Sequence, residues 1–282
     1  MVPMLRRILA VALLLVLTML AWGYAIATSD PAVRRATIAM PDWPALAQPI
    51  RLVLISDLHV QGPDMPPERL GRIVAQINAL KPDLVLIAGD LISEKRLGQR
   101  PYTMARALEP LGGLRPALGS LAVLGNHDHW YDAPGAVAAL RRAGVTVLAN
   151  EAVRIGPVAV GGLDDDFTGH ADLPRTLARL QPLRGAKLLL SHSPDPFPDV
   201  PASVSLMLAG HTHCGQIAPP PIGPIKTMSR YGRRYACGVI RERSKVLVVG
   251  AGLGTSGIPL RFGAEPEMWL LTLGPVRPAA TS

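Results

Sequence analysis

Short, largely apolar runs recur along this chain, and polar residues follow each of the clearest ones. These runs are residues 51–56, 84–88, 121–124, 186–190 and 204–209. Continuous apolar segments of this length are typical of strands that are buried on both faces of a parallel sheet. Helical segments are predicted between them, at residues 67–80, 103–111, 133–143 and 172–180. This alternation predicts an α/β fold.

Further strands are predicted outside the five main runs. They are residues 145–148, 153–155, 158–160, 234–241, 245–249 and 268–273. The last three follow a proline-rich loop, and we expect them to be antiparallel to one another.

The polar residues at the ends of the five main runs are of the types that bind metals or move protons. They are Asp57 and His59, Asp90, Asn126 and His127, His192, and His211 and His213. The carboxyl ends of the strands in an α/β sheet form a common site, so we expect these side chains to lie together. Carboxylates and imidazoles suit Mn, Fe, Zn or Ni. The absence of thiolates argues against a structural zinc site.

Each residue of this set also has an ordinary explanation when it is taken alone. A single buried histidine is usually a core residue, and an aspartate after a strand is often a helix cap. Five such clusters in succession favour one shared site. The set is too large for a single ion and fits two ions that share a carboxylate.

The ordered motifs resemble those of the calcineurin-like metallophosphoesterase superfamily. They are Asp57-x-His59, Gly89-Asp90, Gly125-Asn126-His127-Asp128, His192 and Gly210-His211-x-His213. The match spans most of the chain. It implies a two-sheet β-sandwich flanked by helices, with a catalytic domain over residues 49–275.

The resemblance also implies a role for each residue. Asp57, His59 and His213 would hold one divalent metal, Asn126, His192 and His211 the other, and Asp90 would bridge the two. His127 would face the substrate phosphate, and Asp128 would orient its ring. The implied reaction is hydrolysis of a phosphodiester or pyrophosphate bond by in-line attack of a metal-bridging hydroxide, with Mn as the first candidate metal.

Within the superfamily, the chain is most similar to the membrane-associated bacterial phosphodiesterase branch, which includes UDP-2,3-diacylglucosamine pyrophosphatase-type enzymes. The supporting stretches are residues 210–216 and 252–263. That branch usually has glycine where Cys214 stands. Two cysteines, Cys214 and Cys237, are too few for a disulfide framework. They could pair, but two free thiols are the simpler expectation.

A charge-free apolar segment, residues 8–29, is long enough to cross a bilayer as a helix. Arg6 and Arg7 precede it, which favours a cytoplasmic amino terminus and an extracytoplasmic catalytic domain. Arg34 and Arg35 weaken this asymmetry, so a catalytic domain on the cytoplasmic face stays open. We therefore expect a membrane anchor or signal segment over residues 1–29.

Two other interpretations of the amino-terminal segment stay open. Ala25-Ile26-Ala27 resembles a signal-peptidase site, and cleavage there would release a secreted protein. A helix in the protein core is the third interpretation. Prolines in residues 30–48 predict a tether, and residues 276–282 are expected to form a tail.

The formal net charge of +8 favours anionic partners such as a membrane surface or a phosphorylated substrate. Basic residues are not interleaved with aromatic ones, so no dedicated nucleic-acid face is predicted. Gly252-x-Gly254-x-x-Gly257 matches a dinucleotide fingerprint, but Pro259 follows and no helix opens there, so no nucleotide cofactor is predicted.

The leading hypothesis is a phosphoesterase that acts on a membrane or envelope substrate, of which a lipid-linked one is a candidate. A non-catalytic binding protein on the same fold and a nuclease of the same superfamily are the alternatives. Nothing in the sequence specifies an oligomeric state.

Overall fold

The computed structural model describes residues 2–93 and 102–276. The helices are α1 (Val2–Ala27), α2 (Pro67–Ala79), α3 (Met104–Leu108), α4 (Asn126–Tyr131), α5 (Ala133–Arg142) and α6 (Leu173–Leu180). The strands are β1 (Ala32–Met40), β2 (Ile50–Ile55), β3 (Leu84–Ala88), β4 (Ser120–Val123), β5 (Val145–Val147), β6 (Glu151–Ile155), β7 (Val158–Gly162), β8 (Ala186–Leu190), β9 (Leu206–Ala209), β10 (Gly238–Glu242), β11 (Lys245–Val249) and β12 (Glu267–Pro275).

These strands form two six-stranded sheets. The first sheet has the order β1-β12-β2-β3-β4-β5, and the second has the order β10-β11-β9-β8-β7-β6. Strands β2 to β5 are parallel, as are β7, β8, β9 and β11. The predicted buried parallel strands are therefore confirmed, and they are divided between two sheets.

The two sheets pack face to face around one aliphatic core. Leu54 and Leu86 of the first sheet lie in the same buried cluster as Leu188 and Leu208 of the second. Helices α2 and α5 cover the outer face of the first sheet, and α6 packs on the outer face of the second. This is the expected sandwich flanked by helices.

The carboxyl-terminal strands only partly follow the expectation. Strands β10 and β11 are antiparallel, as expected, but β11 is parallel to β9. Strand β12 joins the other sheet, where it lies antiparallel to β2 and parallel to β1. Its apolar side chains are buried along most of its length, so it needs neighbours on both sides.

The predicted tether is wrong over residues 32–40, which form β1. All nine residues of β1 are in register with β12, and the side chains of Ile38 and Met40 are buried between the sheets. Pro31 and Pro41 stand immediately before and after the strand. These prolines mark the ends of a strand, where proline is tolerated, and do not indicate a tether. Residues 277–282 of the predicted tail lie outside the described residues.

Helix α1 stands clear of the rest of the protein over most of its length. Residues 3–22 are exposed, and burial begins at Gly23. The helix is long and apolar enough to cross a membrane over Pro3–Ala27. The interpretation as a core helix is therefore wrong, whereas an anchor and a signal segment both fit its length and composition.

Candidate metal centre

The polar residues predicted at the strand ends meet at one end of the sandwich. The loops after β2, β3 and β4 supply those of the first sheet, and the loops after β8 and β9 supply those of the second. Parallel strands bring their carboxyl ends to one edge, which explains the convergence within each sheet. All seven predicted metal ligands are buried there: Asp57, His59, Asp90, Asn126, His192, His211 and His213.

One group of three could hold a metal ion, and it consists of Asp57, His59 and His213. Nε2 of His213 lies 3.4 Å from Oδ1 of Asp57. Nε2 of His59 lies 3.1 Å from Nε2 of His213. Ligand atoms from both sheets are thus close enough to share one cation.

A second group lies around His192. Its Nε2 atom is 3.1 Å from Nδ1 of His211 and 3.2 Å from Oδ1 of Asn126. Its Nδ1 atom lies 2.7 Å from the carbonyl oxygen of Ala88, which can only accept a hydrogen bond. Nδ1 of His192 therefore donates to Ala88, and Nε2 is the ring atom that faces Asn126 and His211. Burial lowers the pKa of His192, but the nearby Asp90 outweighs burial and raises it to about 10. A cation bound at Nε2 would take the place of the proton there.

Asp90 stands between the two groups. Its Oδ2 atom lies 3.4 Å from Nε2 of His59 and 3.3 Å from Nε2 of His192. Burial by itself would raise the pKa of Asp90, but the imidazoles around it outweigh burial and hold this pKa well below its ordinary value. Asp90 therefore offers an anionic oxygen within reach of both groups.

The electrostatics of the centre fit divalent cations. Burial lowers the pKa of His211 to about 4 and also holds that of His213 well below the ordinary value. Neutral rings offer lone pairs, and Nε2 of His211 is buried without a hydrogen-bond partner among the described residues. Imidazole and carboxylate donors suit Mn, Fe, Zn or Ni.

The backbone of the centre is unusual, because several non-glycine residues have positive φ angles. They are Asp57 (49°), His59 (43°), Asp90 (53°), His211 (70°) and His213 (51°). Such angles are uncommon in L-residues and concentrate at functional sites, where the surrounding structure enforces them. The fold thus holds these side chains at a local conformational cost.

Two glycines allow the loops to approach one another. A Cβ atom on Gly125 would collide with Oδ1 of Asp90, and one on Gly210 would lie 2.5 Å from Oδ2 of Asp57. The predicted motifs therefore need glycine next to the ligand positions because there is no room for a side chain.

His127 and Asp128 do not interact as the sequence suggested. The two oxygens of Asp128 accept hydrogen bonds from the backbone amides of Leu91 and Gly125, each at 2.9 Å. Nδ1 of His127 is buried and has no hydrogen-bond partner in the part of the chain that the structure describes. The expectation that Asp128 directly orients the ring is therefore wrong. Asp128 instead ties the start of α4, which carries His127, to the loop that carries Asp90.

A cleft of about 470 Å³ opens over the centre, and His127, Asp90 and His211 contribute to its lining. The ring of Trp130 packs edge-on against His127 with the centroids 5.0 Å apart. Phe167 lies 4.9 Å from the ring of His211. Trp130 lines the cleft, and Phe167 packs edge-on against the Trp130 ring with the centroids 6.1 Å apart.

Two histidines outside the predicted ligand set, His129 and His170, form a pair beside the cleft. Nε2 of His129 is 2.8 Å from Oδ1 of Asp164, and the His129 ring stacks on that of His170 at 3.9 Å. The hydrogen bond to Asp164 raises the pKa of His129. No motif in the sequence marks this pairing, because it depends on contact between distant loops.

The expectation of two free thiols is wrong, because Cys214 and Cys237 form a disulfide bond. Their Cα atoms lie 4.8 Å apart although 23 positions separate them in sequence. The bond joins the loop that carries His211 and His213 to the residues just before β10. Cys214 is therefore a structural residue and not an available ligand.

Two further residues support the centre without having been singled out by the sequence. The guanidinium of Arg261 is fully buried, where Nη1 and Nη2 donate to the carbonyl oxygens of Ala264 and Ala251. Gln216 exchanges hydrogen bonds with the backbone of Ser256. Nη2 of Arg261 also lies 3.4 Å from Nδ1 of His213, so Arg261 and Gln216 both connect the loop before β12 to the His213 loop.

Comparison with known proteins agrees with this geometry. The family model described as calcineurin-like phosphoesterase matches residues 50–215, a range that includes all seven predicted ligands. A transmembrane protein with metallophosphoesterase domain from Danio rerio is 30% identical over 281 residues, which cover 93% of this chain and 62% of that protein. This chain thus spans less than two thirds of the length of that relative.

A second relative is covered more completely. The uncharacterized metallophosphoesterase YkuE of Bacillus subtilis is 35% identical over 232 residues, which cover 79% of this chain and 78% of that protein. Among solved structures, a 5'-nucleotidase precursor from Thermus thermophilus aligns with a TM-score of 0.47 and 15% identity over 80% of this chain and 55% of that one. The family match and the sequence relatives together establish that the chain belongs to the calcineurin-like phosphoesterase family.

Proposed function

We propose that the protein hydrolyses phosphodiester or pyrophosphate bonds with two divalent cations that share Asp90. The two ligand groups are Asp57, His59 and His213 on one side and Asn126, His192 and His211 on the other. The observation that carries this proposal is the position of Asp90 Oδ2, which lies 3.4 Å from His59 and 3.3 Å from His192. Mn is the first candidate metal, and Fe, Zn and Ni suit the same ligands.

When bound, the cations would supply a nucleophile at neutral pH and neutralise charge that develops on the phosphoryl oxygens. His127 lies at the cleft and is suited to stabilise the phosphate or to protonate the leaving oxygen. Trp130 packs against its ring and restricts its movement. Asp128 holds the loops of Asp90 and His127 in register.

We further propose that the catalytic domain lies outside the cytoplasm, attached to the membrane through α1. Helix α1 has the length and composition of a membrane span. Arg6 and Arg7 precede the apolar segment, which favours a cytoplasmic amino terminus. The disulfide between Cys214 and Cys237 supports the same orientation, since disulfides persist mainly in oxidising compartments.

Hydrolysis of bis-(p-nitrophenyl) phosphate by the full chain with Mn tests the catalytic proposal. Asn126→Ala and His127→Ala should each reduce kcat by about a hundredfold or more, because one removes a metal ligand and the other a group at the phosphate. Asn78→Ala is the control, since Asn78 lies on α2, outside the centre. Full activity of Asn126→Ala would contradict the two-metal assignment.

Protease protection in spheroplasts tests the orientation. Added protease should degrade the catalytic domain in intact spheroplasts and leave a cytoplasmic marker protein untouched. A catalytic domain that is degraded only after lysis would place it on the cytoplasmic face.

A further inference from the structure

The end of α1 and the cleft over the metal centre are connected through one short stretch of chain. The backbone amide of Arg261 donates to the carbonyl oxygen of Gly23 at 3.0 Å. The ring of Trp22 packs edge-on against Phe262 with centroids 5.9 Å apart. Residues 256–258, just before this contact, line the cleft. The helix that can span a membrane therefore meets the domain beside the mouth of the cleft.

A loop formed by residues 217–228, the rim loop, extends from this contact to the cleft. The amide of Ala218 donates to the carbonyl oxygen of Phe262 at 2.7 Å. Pro220 lines a second cleft together with Trp22 of α1. At the other end of the rim loop, Lys226 and Met228 line the cleft over the metal centre. The rim loop thus lies between α1 and the site.

The rim loop exposes apolar side chains that no part of the described chain covers. Ile222 is 60% exposed and Ile225 is 65% exposed. Such residues are unfavourable in water, and two of them at the tip of one loop are typical of a surface that contacts another phase or molecule.

The charged residues of the rim loop and of the segment that follows it are all cationic. The chain has no Asp or Glu between Gly210 and Arg241. Arg230 and Arg234 pair with carboxylates from other segments. By contrast, Lys226 and Arg233 are exposed and have no ion pair within residues 2–93 and 102–276. Exposed isoleucines next to unpaired cations match the interfacial layer of an anionic bilayer.

We propose that the rim loop docks onto the bilayer that α1 spans, with Ile222 and Ile225 at headgroup depth. This proposal rests on the membrane attachment and phosphoesterase activity of the proposed function. The attachment of α1 beside the loop favours a bilayer over a second protein, because α1 already fixes the domain against the membrane at this point. The mouth of the cleft then faces the headgroup layer, and phosphoesters carried by membrane lipids are the substrate class that reaches it.

A thiol introduced into the rim loop tests the docking directly. Both native cysteines are in the disulfide, so the new cysteine of Ile225→Cys is the only free thiol. The full chain is labelled there with an environment-sensitive fluorophore and reconstituted into vesicles of phosphatidylcholine with a minority of phosphatidylglycerol. Nitroxide-labelled lipids should quench this fluorophore about threefold more strongly than one at Leu46→Cys.

Leu46 is the matched control because it is also apolar and almost fully exposed. It follows the far end of β1, which runs for nine residues, about 30 Å, from the end near α1. Ile222→Cys provides a second position in the rim loop, in case labelling at position 225 disturbs the fold.

Equal quenching at positions 46, 222 and 225 would overturn the proposal. Quenching of the rim-loop labels that falls as the protein density in the vesicles rises would also overturn the proposal. That result would indicate contact with a second copy of the chain. Hydrolysis of bis-(p-nitrophenyl) phosphate by the same vesicles is measured in parallel. If the unsubstituted chain does not hydrolyse this diester, the proposed function is refuted. The quenching result addresses docking alone.

Discussion

The two sheets contribute different ligands to the centre. The segments that follow strands of the first sheet supply Asp57, Asp90 and Asn126, together with His59, and thus all of the predicted oxygen ligands. The loops of the second sheet supply imidazoles alone, from His192, His211 and His213. Each of the two ligand groups contains members from both sheets. Neither sheet can therefore form a complete metal site, and the packing between them is as important for the centre as the ligands.

The largest expected effect is that of Asp90→Asn in the first sheet. The substitution removes the charge that both groups share, so we expect kcat to fall about a thousandfold and the bound metal to fall from two ions toward one or none. Kinetics with bis-(p-nitrophenyl) phosphate and elemental analysis of the purified protein measure the two quantities.

Asp83→Asn is the matched control for this substitution. Asp83 precedes β3 at the opposite end of the sheet, where it accepts a hydrogen bond from the amide of Arg51. A variant at Asp90 that keeps two ions and full activity would show that the two ligand groups are independent.

Weakening the contact between the sheets should damage the centre from a distance. Leu188→Ala in β8 removes a fully buried side chain between the sheets and should lower the free energy of unfolding by about 2–5 kcal/mol. We also expect weaker Mn binding, measured by calorimetry. Leu180→Ala is the control, because Leu180 is equally buried but is the last residue of α6, on the outer face of the second sheet. Equal losses of Mn affinity in both variants would argue against a special role of the inter-sheet contact.

The disulfide joins two segments next to strands of the second sheet and none of the first. The double variant Cys214→Ser with Cys237→Ser should lose about 3 kcal/mol of unfolding free energy, the cost expected for releasing a loop of this size. Urea denaturation measures this loss. We expect KM for the soluble diester to rise more than kcat falls, because Asp57, Asp90 and Asn126 stay in place.

The smallest expected effect is the contribution of His129 and Asp164 to the pH dependence of the unfolding free energy. The pKa of His129 is raised above 6.5 in the folded protein, mainly by its hydrogen bond to Asp164. The stabilisation by this pair is therefore fully present below pH 6.5 and is lost as the pH rises through the raised pKa. Its size should be about 1 kcal/mol.

His129→Gln should remove this pH-dependent part of the unfolding free energy, and Asp164→Asn should have the same effect. Urea denaturation at a series of pH values above and below neutrality measures it. An unchanged pH dependence in both variants would show that the pair does not stabilise the fold.

The candidate centre was largely predictable, because its residues are local to strand ends. A few adjacent positions are enough to predict a strand such as Leu84–Ala88 and to notice the Asp90 that follows it. The register within each parallel sheet then brings the ends together. The resemblance already implies that Asp90 bridges the two groups. The distances from its Oδ2 atom to His59 and His192 could not be predicted, since they depend on the relative placement of two sheets.

Features that depend on distant pairing were missed. Strand β1 was masked by its flanking prolines, and the pairing of Cys214 with Cys237 depends on a loop conformation that spacing does not determine. The contacts of Asp128 were misjudged for a similar reason. Its partner, the amide of Leu91, belongs to another strand-end loop and carries no sequence signal of its own.

The position of β12 has a consequence for how the chain reaches its final state. Strand β1 follows α1 directly, yet its paired neighbour is β12, so that Ala32 is in register with Glu267. Pairing between such distant segments is slow, because a very long loop must close before any contact is gained. Strand β1 can therefore pair only after β12 has left the ribosome and, in the proposed orientation, has crossed the membrane. Folding of this sheet is therefore completed only after nearly all of the described chain has been synthesised and, in the proposed orientation, exported.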